Sequence, residues 1–256
     1  MNLIDISKEE YLLLNRYIGQ GSPSASLIIF GNEPGTSGLS IPETLIYLKD
    51  KEWGFDKNNY GHNSFTINES YSFPVGSEFA RFSARLALAI ENKDERWLGK
   101  LSGPGIAAIN NHICKPISEK NQAVLNLRPL PRPTQDTWVY SNVDRKVYNK
   151  EWNFTLKSHK GTQNTWSRSA GIESFITSFQ RKNGVVIGVG EKENKKAFFQ
   201  KMFPNEEFIK SDLDTHTIYF NHTHKIVLSN YFNSRNGIKL EGLRDLYKFL
   251  NSRKYI

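Results

Sequence analysis

Four short apolar runs punctuate the chain: Leu27-Ile28-Ile29-Phe30, Ala123-Val124-Leu125, Val185-Val186-Ile187 and the stretch His224–Leu228. Each is too short for a helix and stops at polar or Gly/Pro-rich sequence, so each predicts a strand buried on both faces. Between them, apolar residues return at helical spacing. Phe82, Leu86, Leu88, Ala89 and Ile90 predict a helix over 79–91. Ala197, Phe198 and Phe199 predict one over 191–203, and Leu243, Leu246 and Leu250 predict one over 240–250. Shorter helices are expected over 8–19 and 171–180, and from Pro42 to Leu48, since proline suits a first helical turn. Strands alternating with helices predict an α/β fold, a three-layer α/β/α arrangement around a central, mostly parallel four-stranded sheet. Ligands of such sheets bind beyond the carboxyl ends of the strands. Three of those ends carry unusual polar sequence, at 31–35, 126–133 and 229–237, and the topology predicts that they converge on one cleft.

Two stretches interrupt the alternation. Residues 36–70 and 134–168 are long for loops, and the second holds Trp138, Tyr140, Tyr148, Trp152, Phe154 and Trp166. Over 141–170, six Lys/Arg face two Asp/Glu, a local net charge of 6 − 2 = +4. A chain of 256 residues fits a single domain carrying these two stretches as insertions.

Charge adds a partner class. There are 34 Lys plus Arg against 26 Asp plus Glu, a net +8, which points to a polyanion. Mean hydropathy is −0.54, and no run of about 18 apolar residues offers itself to a bilayer. Cys114 is the sole cysteine, so no disulfide framework, multi-cysteine zinc site or iron–sulfur cluster forms within one chain. The start, Met1-Asn2-Leu3-Ile4-Asp5, lacks a secretory pattern, so the expected compartment is the reducing cytoplasm.

The three strand ends carry the candidate chemistry. Glu33 lies in a Gly-Asn-Glu-Pro-Gly turn, where partial burial would raise a carboxyl pKa and suit it as a base. An exposed turn glutamate is the plainer alternative. Asn126 ends a strand, and its carboxamide can read the edge of a nucleobase or cap a turn. Arg128 and Arg132, separated by prolines, suit phosphates or an ordinary solvated loop. The stretch Ser229–Gly237 packs polar groups around Tyr231 and Phe232 and suits a groove or a plain surface loop. His222 and His224 lack further ligands at metal-binding spacing. No phosphate-binding Gly-x-x-x-x-Gly-Lys-Ser/Thr loop and no Gly-x-Ser-x-Gly elbow is present.

Taken in order, these segments resemble the uracil-DNA glycosylase superfamily from about residue 24 to 250. Ile29-Phe30-Gly31-Asn32-Glu33-Pro34-Gly35 is similar to its first motif, a strand followed by Gly-x-x-Pro-Gly or Gly-Gln-Asp-Pro-Tyr. Tyr71-Ser72-Phe73-Pro74-Val75 resembles the segment whose Phe stacks on the extruded base. Val124-Leu125-Asn126-Leu127-Arg128-Pro129 resembles the strand ending in the base-reading Asn. Lys225–Asn236 occupies the place of the second motif, usually His-Pro-Ser-Pro, but its His is absent and Asn230, Tyr231 or Ser234 stands nearby. Glu33 stands where relatives carry Asp, Asn or Ala.

The resemblance implies a DNA glycosylase that flips a pyrimidine out of DNA and hydrolyses its N-glycosidic bond. Glu33 would stabilise the cationic sugar and orient water, Asn126 would hold the base edge, and Tyr231 would replace the missing His as donor. Asn32, Phe73, Asn126 and Asn230 would contact the base. Ser77, Arg128, Arg132, Ser234 and Arg235 would grip phosphates of single- or double-stranded DNA. No metal or redox cofactor enters this chemistry. The base is left open between uracil-like bases and bulky modified cytosines of phage DNA, the latter implying antiviral defence. Two other readings stand beside it: a DNA-binding protein that keeps the fold without catalysis, and an unrelated hydrolase or transferase acting on nucleosides.

Overall fold

The computed structural model describes residues 3–16, 18–21, 24–32, 42–43, 65–66, 77–115, 120–132, 137–150, 168–177, 184–233, 235 and 237–256. Its contacts divide the chain into two compact units. The smaller comprises Met1–Gly19, Asn32–Phe65 and Asn126–Phe175, and the larger Gln20–Gly31, Thr66–Leu125 and Ile176–Ile256.

Most of the sheet belongs to the larger unit. Its strands are β1 (Gly19–Gly21), β2 (Leu27–Gly31), β3 (Phe65–Thr66), β4 (Gln122–Asn126), β5 (Val185–Val189), β6 (Ile209–Asp212), β7 (Thr217–Asn221) and β8 (Ile226–Ser229). The order across the sheet is β3-β1-β4-β2-β5-β8-β7-β6. β5 runs parallel to both β2 and β8, with Ile187 beside Ile29 and Val227. β7 is antiparallel to β8 and to β6.

The expected four-stranded, mostly parallel sheet is therefore corrected to an eight-stranded mixed sheet. Two causes are physical. Thr217-Ile218-Tyr219-Phe220-Asn221 turns back through His222–Lys225 and pairs with β8 as a hairpin, so one expected strand was half of a pair. β6, with the sequence Ile-Lys-Ser-Asp, is a mostly exposed edge strand that no apolar run announces, and its charges protect that edge.

Helices cover both faces of this unit's sheet. On one face Leu27, Ile29, Val185, Ile187, Phe220 and Val227 pack against α2 (Glu78–Asn92) and α7 (Leu240–Ser252). On the other, the Phe30 ring lies 6.1 and 5.2 Å from Phe198 and Phe199 of α6 (Lys192–Met202). A Cβ at Gly188 would come within 2.5 Å of Leu228 and 3.1 Å of Lys195, so glycine permits this close approach. The larger unit is thus α/β/α, as the alternation predicts. α3 (Gly103–Cys114) packs Ile109 and Ile113 on Ala80 and Ala84 of α2. The pattern gave no sign of α3, because its Gly-Pro-Gly start reads as a turn although proline is tolerated there.

In the smaller unit, α1 (Lys8–Arg16) starts with a reciprocal cap. The Glu10 amide donates to Ser7 Oγ at 3.1 Å and the Ser7 amide to Glu10 Oε2 at 2.7 Å. Ile6, Tyr11 and Leu14 form a core with Leu130, Val139, Tyr140, Val143 and Tyr148, the last at the middle of α4 (Arg145–Lys150). The Asn142 carboxamide serves this core as a stand-in strand. It accepts from Ile6 N at 3.1 Å and donates to Ile6 O at 2.8 Å. The aromatic stretch expected as an insertion near 134–168 therefore supplies core side chains, with Tyr140 and Tyr148 fully buried. Trp152, Phe154 and Trp166, and nearly all of 36–70, lie outside the described residues. Among the described residues no helix is long and apolar enough to cross a membrane, and no cluster of metal-ligating side chains occurs.

Candidate functional site

The carboxyl end of β4 is anchored by its own backbone. Asn126 N donates to Ile18 O at 2.8 Å. Its carbonyl accepts from Arg168, the first residue of α5 (Arg168–Thr177), at 2.6 Å from one terminal nitrogen and 3.1 Å from Nε. The same guanidinium donates to Leu127 O at 3.0 Å and, at longer range, to Leu14 O and Asn15 O. Arg168 is 1% exposed, so it ties the end of α1 to the end of β4 from inside. Asn126 is 7% exposed, and its carboxamide, which reaches solvent, forms no hydrogen bond among the described residues. Here a fixed backbone holds an unpaired donor–acceptor set at a strand end.

The loop that follows meets the turn after β2. Arg128 N donates to the carbonyl of Asn32 at 2.7 Å, so two of the three predicted strand ends are joined within the smaller unit. Asn32 is itself buried. The third end, 229–237, belongs to the larger unit.

The basic residues of this loop are inside. Arg128 and Arg132 are 3% and 5% exposed, not the solvated side chains their proline-rich context suggests. The Arg132 guanidinium lies 5.8 Å from the Trp138 ring centre and 5.9 Å from that of Tyr148, a cation–π stack. Tyr140 donates to Pro131 O at 2.7 Å, and Tyr148 Oη accepts from Leu130 N at 3.1 Å. Burial raises the Tyr140 phenol well above its usual range, despite nearby Arg132. Ser77 caps α2, accepting from Ala80 N at 3.3 Å. Arg235 is exposed. Glu33, Phe73 and Ser234 lie outside the described residues.

In the larger unit a second polar cluster forms at the carboxyl ends of β5 and β8. Gly190 has φ +74°, and a Cβ there would lie 2.4–2.6 Å from three ring atoms of Tyr231, so the ring rests on bare backbone. Asn230 and Tyr231 are half-buried. Lys195, fully buried, donates to Gly190 O at 2.7 Å and Val189 O at 3.1 Å, holding the end of β5. Behind the loop, Ser229 Oγ lies 3.1 Å from His216 Nε2, and His216 Nδ1 lies 3.0 Å from Thr215 Oγ1. Thr215 donates to Asp245 Oδ2 at 2.7 Å.

That last bond orders the chain. The threonine has one proton and gives it to the carboxylate, so it accepts from Nδ1–H. A neutral imidazole then offers Nε2 as acceptor for the Ser229 hydroxyl. Burial pushes His216 down to about 4, against the upward pull of Asp245, so the neutral ring is the resident form. Gly242 makes room: a Cβ there would come within 3.0 Å of Thr215 Oγ1 and 3.3 Å of His216 Nδ1.

Sequence reasoning missed Arg168, Lys195, Thr215, His216 and Asp245. The bonds of Arg168 reach back 42 and 153 residues, and the carboxylate that orders His216 lies 30 residues beyond Thr215. No local spacing marks such partners. The place of Asn126 at a strand end was legible because an apolar run delivers it. No protein-family model, characterised protein or solved structure matches the chain.

Proposed function

We propose that the protein is a DNA glycosylase related to the uracil-DNA glycosylase superfamily. It flips a uracil-like or modified pyrimidine out of DNA and hydrolyses the N-glycosidic bond, leaving an abasic site. One observation carries the reading: the solvent-reaching carboxamide of Asn126, without a hydrogen bond among the described residues, on a backbone clamped by Ile18 and Arg168. A group that must hydrogen-bond the edge of a flipped base needs that preorganisation.

In this mechanism the bond between the sugar C1′ and the base nitrogen breaks first, leaving an oxocarbenium-like sugar. The Glu33 carboxylate stabilises that charge and takes a proton from the attacking water, whose oxygen bonds to C1′. Asn126 donates to the base as negative charge builds on it, and Tyr231 or Asn230 takes the donor role of the absent motif histidine. Phe73 stacks on the base. The Ser229–His216–Thr215–Asp245 chain acts on the loop, fixing where Asn230 and Tyr231 emerge. Such an enzyme works on cytoplasmic DNA. Preference for a bulky modified base of phage DNA would make it a defence enzyme.

One observation favours a second reading, DNA binding without catalysis. His216 has Nε2 occupied by Ser229, and the loop 229–237 carries no imidazole of its own. Abasic-site formation decides between them. The substrates are DNA containing uracil, hydroxymethylcytosine or glucosylated hydroxymethylcytosine. Wild type is expected to form abasic sites on one of these, Glu33→Ala none, and Asn126→Ala about 10²-fold fewer, as for loss of one transition-state donor. DNA binding with no abasic sites on any substrate supports the second reading.

A further inference from the structure

On the larger unit, the first turns of α2 and α7 and the turn at Leu98–Leu101 enclose two hollows of about 470 and 340 Å³. Both are lined by Arg85, Leu240 and Glu241, so they form one continuous groove. Five cations border it: Arg81, Arg85, Lys100, Lys239 and Arg244. Two carboxylates, Glu78 and Glu241, also border it, leaving a net 5 − 2 = +3.

The cations are not consumed by internal pairing. Among the described residues, the exposed side chains of Arg81, Lys100 and Lys239 have no hydrogen bond or ion pair. Arg85 spends one terminal nitrogen on Trp97 O and Gly99 O, at 2.9 and 2.8 Å. That fixes the guanidinium and leaves its other nitrogens open. Arg81 and Arg85 are one helical turn apart on the same face. Burial lowers the Arg85 pKa, and the charge of Arg81 lowers it further. Arg244 alone leans on a carboxylate, Glu95, at 3.0 Å.

We infer that this groove binds the phosphodiester backbone of DNA without reading its sequence. The apolar side chains at its floor, Phe82 and Leu98, are buried and offer no face for base stacking. Cations strung along a channel, rather than gathered at one point, suit a chain of phosphates more than a single anion. The inference rests on the proposed function for the identity of the polyanion. It moves backbone contact away from Arg128 and Arg132, which are buried, to residues no motif indicated.

The test uses an unmodified DNA duplex, so binding is read apart from excision. Affinity is measured over a series of salt concentrations for wild type and for the triple variant Arg81→Gln, Lys100→Gln, Lys239→Gln. A control triple variant, Lys201→Gln, Lys210→Gln, Lys254→Gln, makes the same charge change at exposed sites elsewhere. Circular dichroism and urea midpoints check that each variant folds. The groove variant is expected to bind about tenfold or more weakly at low salt, with its log–log salt slope reduced by up to about 2.7, which is 0.9 per lost phosphate contact. The control should keep the wild-type slope. Equal slopes for the groove variant and wild type would overturn the inference, as would wild type failing to bind DNA. Poly-glutamate displacing DNA at equal charge concentration would overturn it in favour of an acidic protein. Loss of excision with groove binding intact would sink the catalytic reading alone.

Discussion

Replacing Arg168 by methionine tests the support beneath Asn126. Methionine keeps much of the apolar stem and removes every donor. Asn126 O and Leu127 O then lose bonds of 2.6–3.1 Å, and Leu14 O and Asn15 O lose longer ones of 3.2 and 3.3 Å. A hydrogen bond to a charged group contributes about 1.5–3 kcal/mol net, and a buried carbonyl left unpaired costs about 1–3 kcal/mol. Removing the buried cation returns part of its desolvation cost. Weighting the two short contacts fully and the long ones little gives a loss of about 3–5 kcal/mol. With a urea slope of about 2–3 kcal/mol/M, the midpoint falls by about 1–2 M. Arg168→Lys keeps the charge but concentrates its donors on one nitrogen, which cannot span both the β4 end and the α1 end, so it should fall about half as far. Urea unfolding followed by tryptophan fluorescence reads both. A midpoint within about 0.3 M of wild type for Arg168→Met, less than about 1 kcal/mol on the same slope, would refute the anchoring argument. If the protein excises bases, Arg168→Lys should also lose excision at temperatures where it remains folded, because the backbone that carries the Asn126 carboxamide has moved.

His216 supplies a pH prediction. Its folded pKa of about 4 lies below the ordinary value of 6.5, so the unfolded chain binds the proton first as pH falls. Its contribution to stability is complete above about pH 6.5 and is lost as pH drops through that value toward 4. His112, lowered to about 4 by burial and by Lys120, acts in the same window and with the same sign. Proton NMR should show both imidazoles titrating near 4, and a midpoint near 6.5 for His216 would contradict the Ser229–His216–Thr215 geometry. Gly190→Ala meets two penalties, about 1–2 kcal/mol for a side chain at φ +74° and about 1–3 kcal/mol for displacing the Tyr231 ring. In a Tyr231→Ala background only the first should remain. Equal losses in the two backgrounds, read from urea midpoints, would show that the ring does not sit where the structure has it.

What the sequence displayed, and what it hid, follow from the range over which each signal acts. β2, β5 and Asn126 were legible because a strand buried on both faces must be a continuous apolar run, and its last residue is fixed by where that run stops. β6 was not, since an edge strand exposed to water has no reason to be apolar. The loop after β4 misled for a more instructive reason. Arg128-Pro129-Leu130-Pro131-Arg132 looks like solvated chain, because prolines forbid a ladder and arginines favour water. Yet Leu127 and Leu130 are fully buried, and Trp138, Tyr140 and Tyr148 close over the segment from residues further along. An arginine covered by aromatic rings keeps its charge and its stacking energy, so basic sequence by itself does not locate a phosphate site. The same rule works in reverse on α2. Beside Arg81 and Arg85, the Leu98–Leu101 turn and the start of α7 bring Lys100 and Lys239 against the one carboxylate Glu241, and Arg244 lies further along α7. The functional meaning of a charge on this chain is set by what the fold brings beside it. Under the proposed function, Asn126 and the α2–α7 groove are therefore stronger candidates for contact with DNA than the arginines nearest to Asn126 in sequence.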